Sequence, residues 1–164
     1  MATKDPQLMA YFKTFLAQLR SWLQKGEVQQ LVLVLNSLES GETLERWVFM
    51  IHTDEDVLQE GAQVKRTKEK KVIQEEIRAI IRQITSSVTF LPVLDEPCSF
   101  DVLVYANHDV QVPELWKETH PMYVTDAEEI KLRSFSTRIH KVDTMVSYKP
   151  RDEFYDEADE KQGS

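Results

Sequence analysis

Residues 71–105, KVIQEEIRAIIRQITSSVTFLPVLDEPCSFDVLVY, decide how this chain is read. Ile73, Ile77, Ile80, Ile81 and Ile84 recur at helical spacing, which predicts an amphipathic helix from about Thr67 to Thr85 or Ser86. The pattern then turns β-rich, first over residues 86–91 and again over 99–105, where Phe100, Val102 and Val104 alternate onto one face. A period near 3.6 handing over to a period near 2 predicts a helix laid across a sheet. Pro92 and Pro97 limit pairing around Val93 and Leu94, so that part reads as irregular or edge structure. Arg82 and Gln83 lie just beside the apolar stripe.

Upstream, Asp5-Pro6 reads as an N-cap followed by a first helical residue. Leu8, Phe12, Phe15, Leu16, Leu19 and Leu23 share a face that Met9, Tyr11 and Trp22 widen, and Gly26 ends the helix. Residues 31–35 form an unbroken apolar run, expected to be a central strand covered on both faces. After a turn at 39–42, residues 44–51 run back as a hairpin strand. Trp47, Phe49 and Ile51 fall on one of its faces, Arg46, Val48 and Met50 on the other. Residues 53–70 are a charged connector. Downstream, 106–148 carry no helical pattern of useful length; 130–135 and 138–142 read as strands, with Val142, Val146 and Tyr148 continuing the pattern. The order predicts an α+β layer, helices on one face of an antiparallel sheet. The acidic stretch beyond Pro150 is expected to be disordered.

The 164 residues suffice for one domain with a buried core, and 41% hydrophobic with 29% charged residues is ordinary for a globular chain. A net charge of -8 argues against nucleic acid and against an anionic membrane surface as partners. The lone Cys98 rules out an intrachain disulfide and fits a reducing compartment, nuclear or cytosolic. No apolar run is long enough to span a membrane. Four glycines, at 26, 41, 61 and 163, leave no phosphate-cradling loop. His52, His108, His120 and His140 lack ligand-spaced partners, and Cys98 has no neighbouring histidine. No cofactor or metal is expected, and the enzyme reading is weak.

Binding fits better. A sheet followed by more than forty strand-capable residues can pair that segment with itself, or move it aside and admit a foreign peptide by β-augmentation. An ordinary sheet with a meandering C-terminal hairpin satisfies the same residues.

Several stretches carry a resemblance. They are 31–34 with 38–47 (LESGETLERW), 76–85 (EIRAIIRQIT), 88–92, 98–101, Val112-Pro113-Glu114 with Trp116, 132–135, and 139–142 with Met145-Val146. Together, in one order from about Leu8 to Lys149, they closely resemble the HORMA-domain spindle-checkpoint family, mitotic arrest deficient two. The resemblance implies a HORMA domain over 1–149 and a non-catalytic signalling protein of nucleus, kinetochore, cytoplasm and mitotic spindle. Such a protein clasps short motifs of a kinetochore adaptor and of the anaphase activator and joins other checkpoint proteins. Its C-terminal segment is a "safety belt" that leaves one sheet edge and re-pairs on the opposite one.

Carried over to this chain, the belt spans roughly 108–148 and includes Trp116, Phe135, Ile139, His140, Val142 and Tyr148. The peptide adds to Ser99, Phe100, Asp101, Val102, Leu103, Val104 and Tyr105. Pairing of 130–148 with 99–105 means an open form, pairing with 44–51 a closed one. Arg82, Gln83 and Phe90 match the family's surface for self-association through the 67–86 helix and for an inhibitor that mimics it. Thr119 and Thr144 stand where the family carries phosphorylatable hydroxyls. The alternatives are a generic HORMA scaffold in DNA repair or meiosis, a non-functional truncated form, and, last, an enzyme using Cys98. The chain starts near what looks like the family's second helix, so the first helix and following hairpin are expected to be absent, leaving the wide apolar helix faces uncovered.

Overall fold

The computed structural model describes residues 4–53, 69–114 and 116–150. Helix α1 (Pro6–Gln24) starts where its sequence says it should. The Asp5 carboxylate accepts the N–H groups of Gln7 and Leu8 at 2.8 and 3.0 Å, and Pro6 has no N–H to satisfy. Gly26, at φ 68°, turns the chain out of the helix in a conformation that a side chain would disfavour. Strands β1 (Val28–Ser37) and β2 (Thr43–Thr53) form the expected hairpin around Gly41. Helix α2 (Lys70–Ser86) follows, then β3 (Cys98–Ala106), β4 (Glu128–Lys131), β5 (Phe135–Ser136) and β6 (His140–Tyr148).

The sheet is antiparallel, in the order β3-β1-β2-β6-β4, with β5 also on β6. The apolar run 31–35 is therefore a central strand. Its register aligns Leu31 with Phe49 and Val104, and Leu33 with Trp47 and Val102, on one face. Phe15, Leu19 and Trp22 of α1 pack there, against Leu31, Ile51, Val102 and Val104. The opposite face buries Val32, Val34, Val48 and Leu103, with Met122 and Met145 packed on them. Val32, Val34 and Val146 are wholly inaccessible, and each contributes about 1.5–3 kcal/mol of burial.

Three expectations need correction. Residues 86–91 are not a strand: a 3-10 turn, Ser87–Thr89, prolongs α2. The Ser87 hydroxyl donates to the Ile84 carbonyl, and the N–H groups of Phe90 and Leu91 both return to the Ser87 carbonyl. Local closure of this kind outcompetes the β propensity of Val88 and Thr89. The strand expected over 130–135 divides into β4 and β5, because the N–H groups of Arg133 and Ser136 turn away to side chains of α2. Arg138 and Ile139 belong to a tight turn, in which the N–H groups of Ile139 and His140 bond the Thr137 hydroxyl. In α2 only Ile80 of the isoleucine stripe is fully buried. Ile77 and Ile81 are exposed, as is Leu16 of α1. The connector at 54–68, including the expected helix start at Thr67, and the acidic tail at 151–164 lie outside the described residues.

Candidate functional site

The C-terminal strand β6 pairs with β2 along its whole length, from Glu45↔Tyr148 to Thr53↔His140. Of the two arrangements distinguished above, this is pairing with 44–51. It leaves β3 at the opposite edge, bonded to β1 alone among the described strands. Alternate N–H and C=O groups of β3 thus point outward with no strand to receive them.

That edge is not bare. After β3 the chain is tied at Asn107, whose N–H donates to the Glu27 carbonyl at 3.0 Å and whose side chain accepts from Gln29. It then returns over α1, where the Trp116 ring stacks on Phe15 at 5.6 Å and meets Trp22 edge-on at 4.9 Å. By Met122 it has reached the other face of the sheet and packs on the Val32, Val34, Val48 and Leu103 cluster. Residues 116–122 therefore arch around the outer edge of β3, and beyond them the chain crosses that face to β4 at the far edge. Under the arch lie two cavities of about 550 and 330 Å³. Val102, Leu103, Trp116, Lys117 and Thr119 line both, and Asp101 and Met122 line the larger. A covered gap beside an unpaired edge can accommodate an extended peptide.

Phe135 pairs with Val142, on the strand after the Thr137 turn. Val142 and Tyr148 are buried. The Tyr148 hydroxyl donates to Glu128 at 2.6 Å, and this bond to a carboxylate, before burial, raises the phenol above its usual pKa. His140 reaches the Leu23 carbonyl at the end of α1 (3.3 Å); burial lowers its pKa, and that hydrogen bond partly offsets the effect. Thr119 is exposed. Thr144 is 3% exposed, and its hydroxyl finds no hydrogen-bond partner among the described residues.

Arg82 and Phe90 are exposed. Gln83 is half-buried, with its side-chain oxygen engaged by the N–H of Arg133. Cys98 opens β3 with its Sγ directed at the Glu96 carbonyl (3.3 Å). Burial, then the carboxylates of Glu96 and Glu45, push its thiol pKa up, away from nucleophilic chemistry. No group of histidine, cysteine and carboxylate side chains with metal-binding geometry exists among the described residues.

Sequence reading missed one residue at this site. Arg46 sits on β2 but spans β1 on the face away from α1, donating to the Tyr105 hydroxyl and to the Pro121 carbonyl. Its polar place in an alternating strand gave no sign of partners 59 and 75 residues away.

Comparison with known proteins places these features in context. The HORMA domain matches residues 4–144. The mouse mitotic spindle assembly checkpoint protein MAD2A is 52% identical over 149 residues, which cover 91% of this chain and 72% of the mouse protein. A chain of the mitotic checkpoint complex crystal structure superposes with a TM-score of 0.80 at 40% identity, over 91% of this chain and 77% of that one. The C. elegans protein HTP-2, bound to a HIM-3 closure motif, shares the fold alone: TM-score 0.55, 13% identity, 78% of this chain and 63% of HTP-2 covered.

Proposed function

We propose, from the premise that this chain belongs to the HORMA-domain family of mitotic spindle checkpoint proteins, that it signals by holding a short peptide against β3 beneath a movable C-terminal belt. The carrying observation is the pairing of β6 with β2, which leaves the outer edge of β3 unpaired under the arch. A peptide entering there adds as a further antiparallel or parallel strand. Its backbone supplies the affinity, and alternate side chains enter the cavities. The ligands in this reading are motifs of a kinetochore adaptor and of the anaphase activator, taken up in nucleus, cytoplasm and at kinetochores. The HORMA unit is taken as 1–149.

In the same reading Arg82 and Phe90, with Gln83 behind them, form the face for self-association and for an inhibitor of like shape. Thr119, exposed at the mouth of both cavities, is open to a kinase in the arrangement seen. Thr144 is reachable only after β6 leaves β2. A phosphate there adds a charge of about -1.5 to -2 to a side chain that must be buried, and so opposes re-pairing. No residue is assigned catalysis; Cys98→Ser should leave function intact.

The test is fluorescence anisotropy with a labelled anaphase-activator peptide and the full 164-residue chain. Saturable binding with slow release supports the clasp. A folded protein, verified by circular dichroism, that binds neither this peptide nor the adaptor's would overturn it.

A further inference from the structure

Arg46 is 7% exposed, yet no carboxylate among the described residues pairs with it. A buried cation without a counter-ion is costly unless other groups replace its water. Here three do. Its Nη2 donates to the Tyr105 hydroxyl at 3.2 Å, its Nε lies 3.4 Å from the Pro121 carbonyl, and the Tyr123 ring covers the guanidinium at 4.9 Å. Two of the three come from the far end of the arch, Pro121 within it and Tyr123 just beyond. They flank Met122, which is held at φ 52°, a conformation unfavourable for a residue with a side chain. The kink at Met122 turns its side chain into the Val32–Leu103 cluster while Arg46 grips the residue on either side.

We propose that Arg46 is the latch of the belt. The arch is fixed at two points, Trp116 on the α1 side of β3 and residues 121–123 on the other, where Arg46 grips the residues that flank the Met122 side chain packed on the sheet. Releasing a bound peptide sideways from β3 requires one anchor to lift. When residues 121–123 lift, the guanidinium returns to water, so the latch stabilises the closed belt without forming part of the sheet ladder. Arg46 is a positioning residue: it acts on the peptide through the belt. This inference rests on the clasp reading for its consequence, but not for its geometry.

The test compares wild type with Arg46→Met, Arg46→Lys and Tyr123→Leu in the full chain. Dissociation of the labelled anaphase-activator peptide is followed in a chase, and amide hydrogen exchange is followed without peptide. Tyr123 is 69% exposed, so its replacement does not threaten folding. Arg46→Met should speed release about tenfold, a charged hydrogen bond's worth, and Tyr123→Leu about threefold. Arg46→Lys should fall between wild type and Arg46→Met. The Arg46→Met/Tyr123→Leu double variant should be no faster than the product of the singles. Exchange should quicken over 117–125 while β1 and β2 stay protected. Unchanged release and unchanged exchange in Arg46→Met and Tyr123→Leu would overturn the latch, as would Arg46→Met loosening the whole sheet with Tyr123→Leu silent. If wild type takes up no peptide, the clasp reading fails, and the exchange data still decide whether the belt is latched.

Discussion

The side-chain oxygen of Gln83, on α2, accepts the backbone N–H of Arg133, between β4 and β5, at 2.8 Å. Two turns earlier on the helix, and again fifty or more residues away in sequence, Glu76 accepts the N–H of Ser136 at 2.9 Å. The helix thus holds the connector at Arg133 and β5 at Ser136 by two side chains. Gln83 is thus engaged within the chain, whereas its neighbour Arg82 is exposed.

Mutagenesis should separate them. Arg82→Ala, at an exposed position, should leave stability within about 0.5 kcal/mol of wild type and abolish self-association. Gln83→Ala should cost about 0.5–1 kcal/mol, because the bond is exposed and water can take the place of the lost acceptor, and should speed exchange of the Arg133 N–H. Thermal unfolding and sedimentation velocity on both variants check this. An Arg82→Ala protein that folds and still dimerises would remove Arg82 from the surface.

Thr144 lies opposite Phe49 on the β2–β6 pair, with its hydroxyl buried and unpartnered among the described residues. Replacing an unsatisfied hydroxyl by a methyl removes a desolvation penalty, so Thr144→Val should stabilise the chain by about 1 kcal/mol. Thr144→Asp buries a carboxylate at the same place. It should destabilise by about 3 kcal/mol or more, or drive β6 off β2. Denaturant titration gives the sign, and cross-strand amide contacts between β2 and β6 report the pairing.

Burial depresses the His140 pKa below its ordinary 6.5, and the hydrogen bond to the Leu23 carbonyl restores only part of that shift. With a folded-state pKa below the unfolded one, the unfolded chain binds more protons in the window just under pH 6.5. Stability is then full above 6.5 and falls as pH drops through the folded pKa. The imidazole titration by NMR should have its midpoint below 6.5. His140→Gln should flatten this part of the acid limb, and a midpoint above 6.5 would contradict the assignment.

The parts of this fold with local causes were legible in sequence. Asp5-Pro6 and Gly26 bound α1, the run 31–35 is the central strand, and the alternation at 99–105 is β3. What periodicity could not supply was pairing across long separations. Nothing local at 140–148 distinguishes β2 from β3 as its partner, since both present an apolar edge; only the family resemblance framed the choice. The 86–91 error has the same origin in reverse, because Ser87 uses its hydroxyl and carbonyl to close a turn that propensity alone would read as strand. Arg46 was invisible because its partners belong to an arch whose course depends on the whole sheet.

Trp116 is the other anchor of that arch, and its replacement is the most direct test of how the belt is held. The ring is half-buried between Phe15 and Trp22, with no strand ladder holding the backbone around it among the described residues. Trp116→Ala should cost about 2–4 kcal/mol in packing. Most of that loss should fall on the arch, because Val32 and Val34, on the far face of β1, keep their own neighbours. Amides over 110–118 should exchange faster while β1 and β2 remain protected, and the peptide should leave at least tenfold faster. The 4.9 Å edge-on pair of Trp22 and Trp116 should also give a near-ultraviolet dichroism signal that Trp116→Phe removes without unfolding the chain. If Trp116→Ala unfolds the sheet and arch together, the arch is an integral part of the core and has no freedom to open around a ligand. If exchange and release both stay at wild-type rates, the aromatic stack is not what holds it.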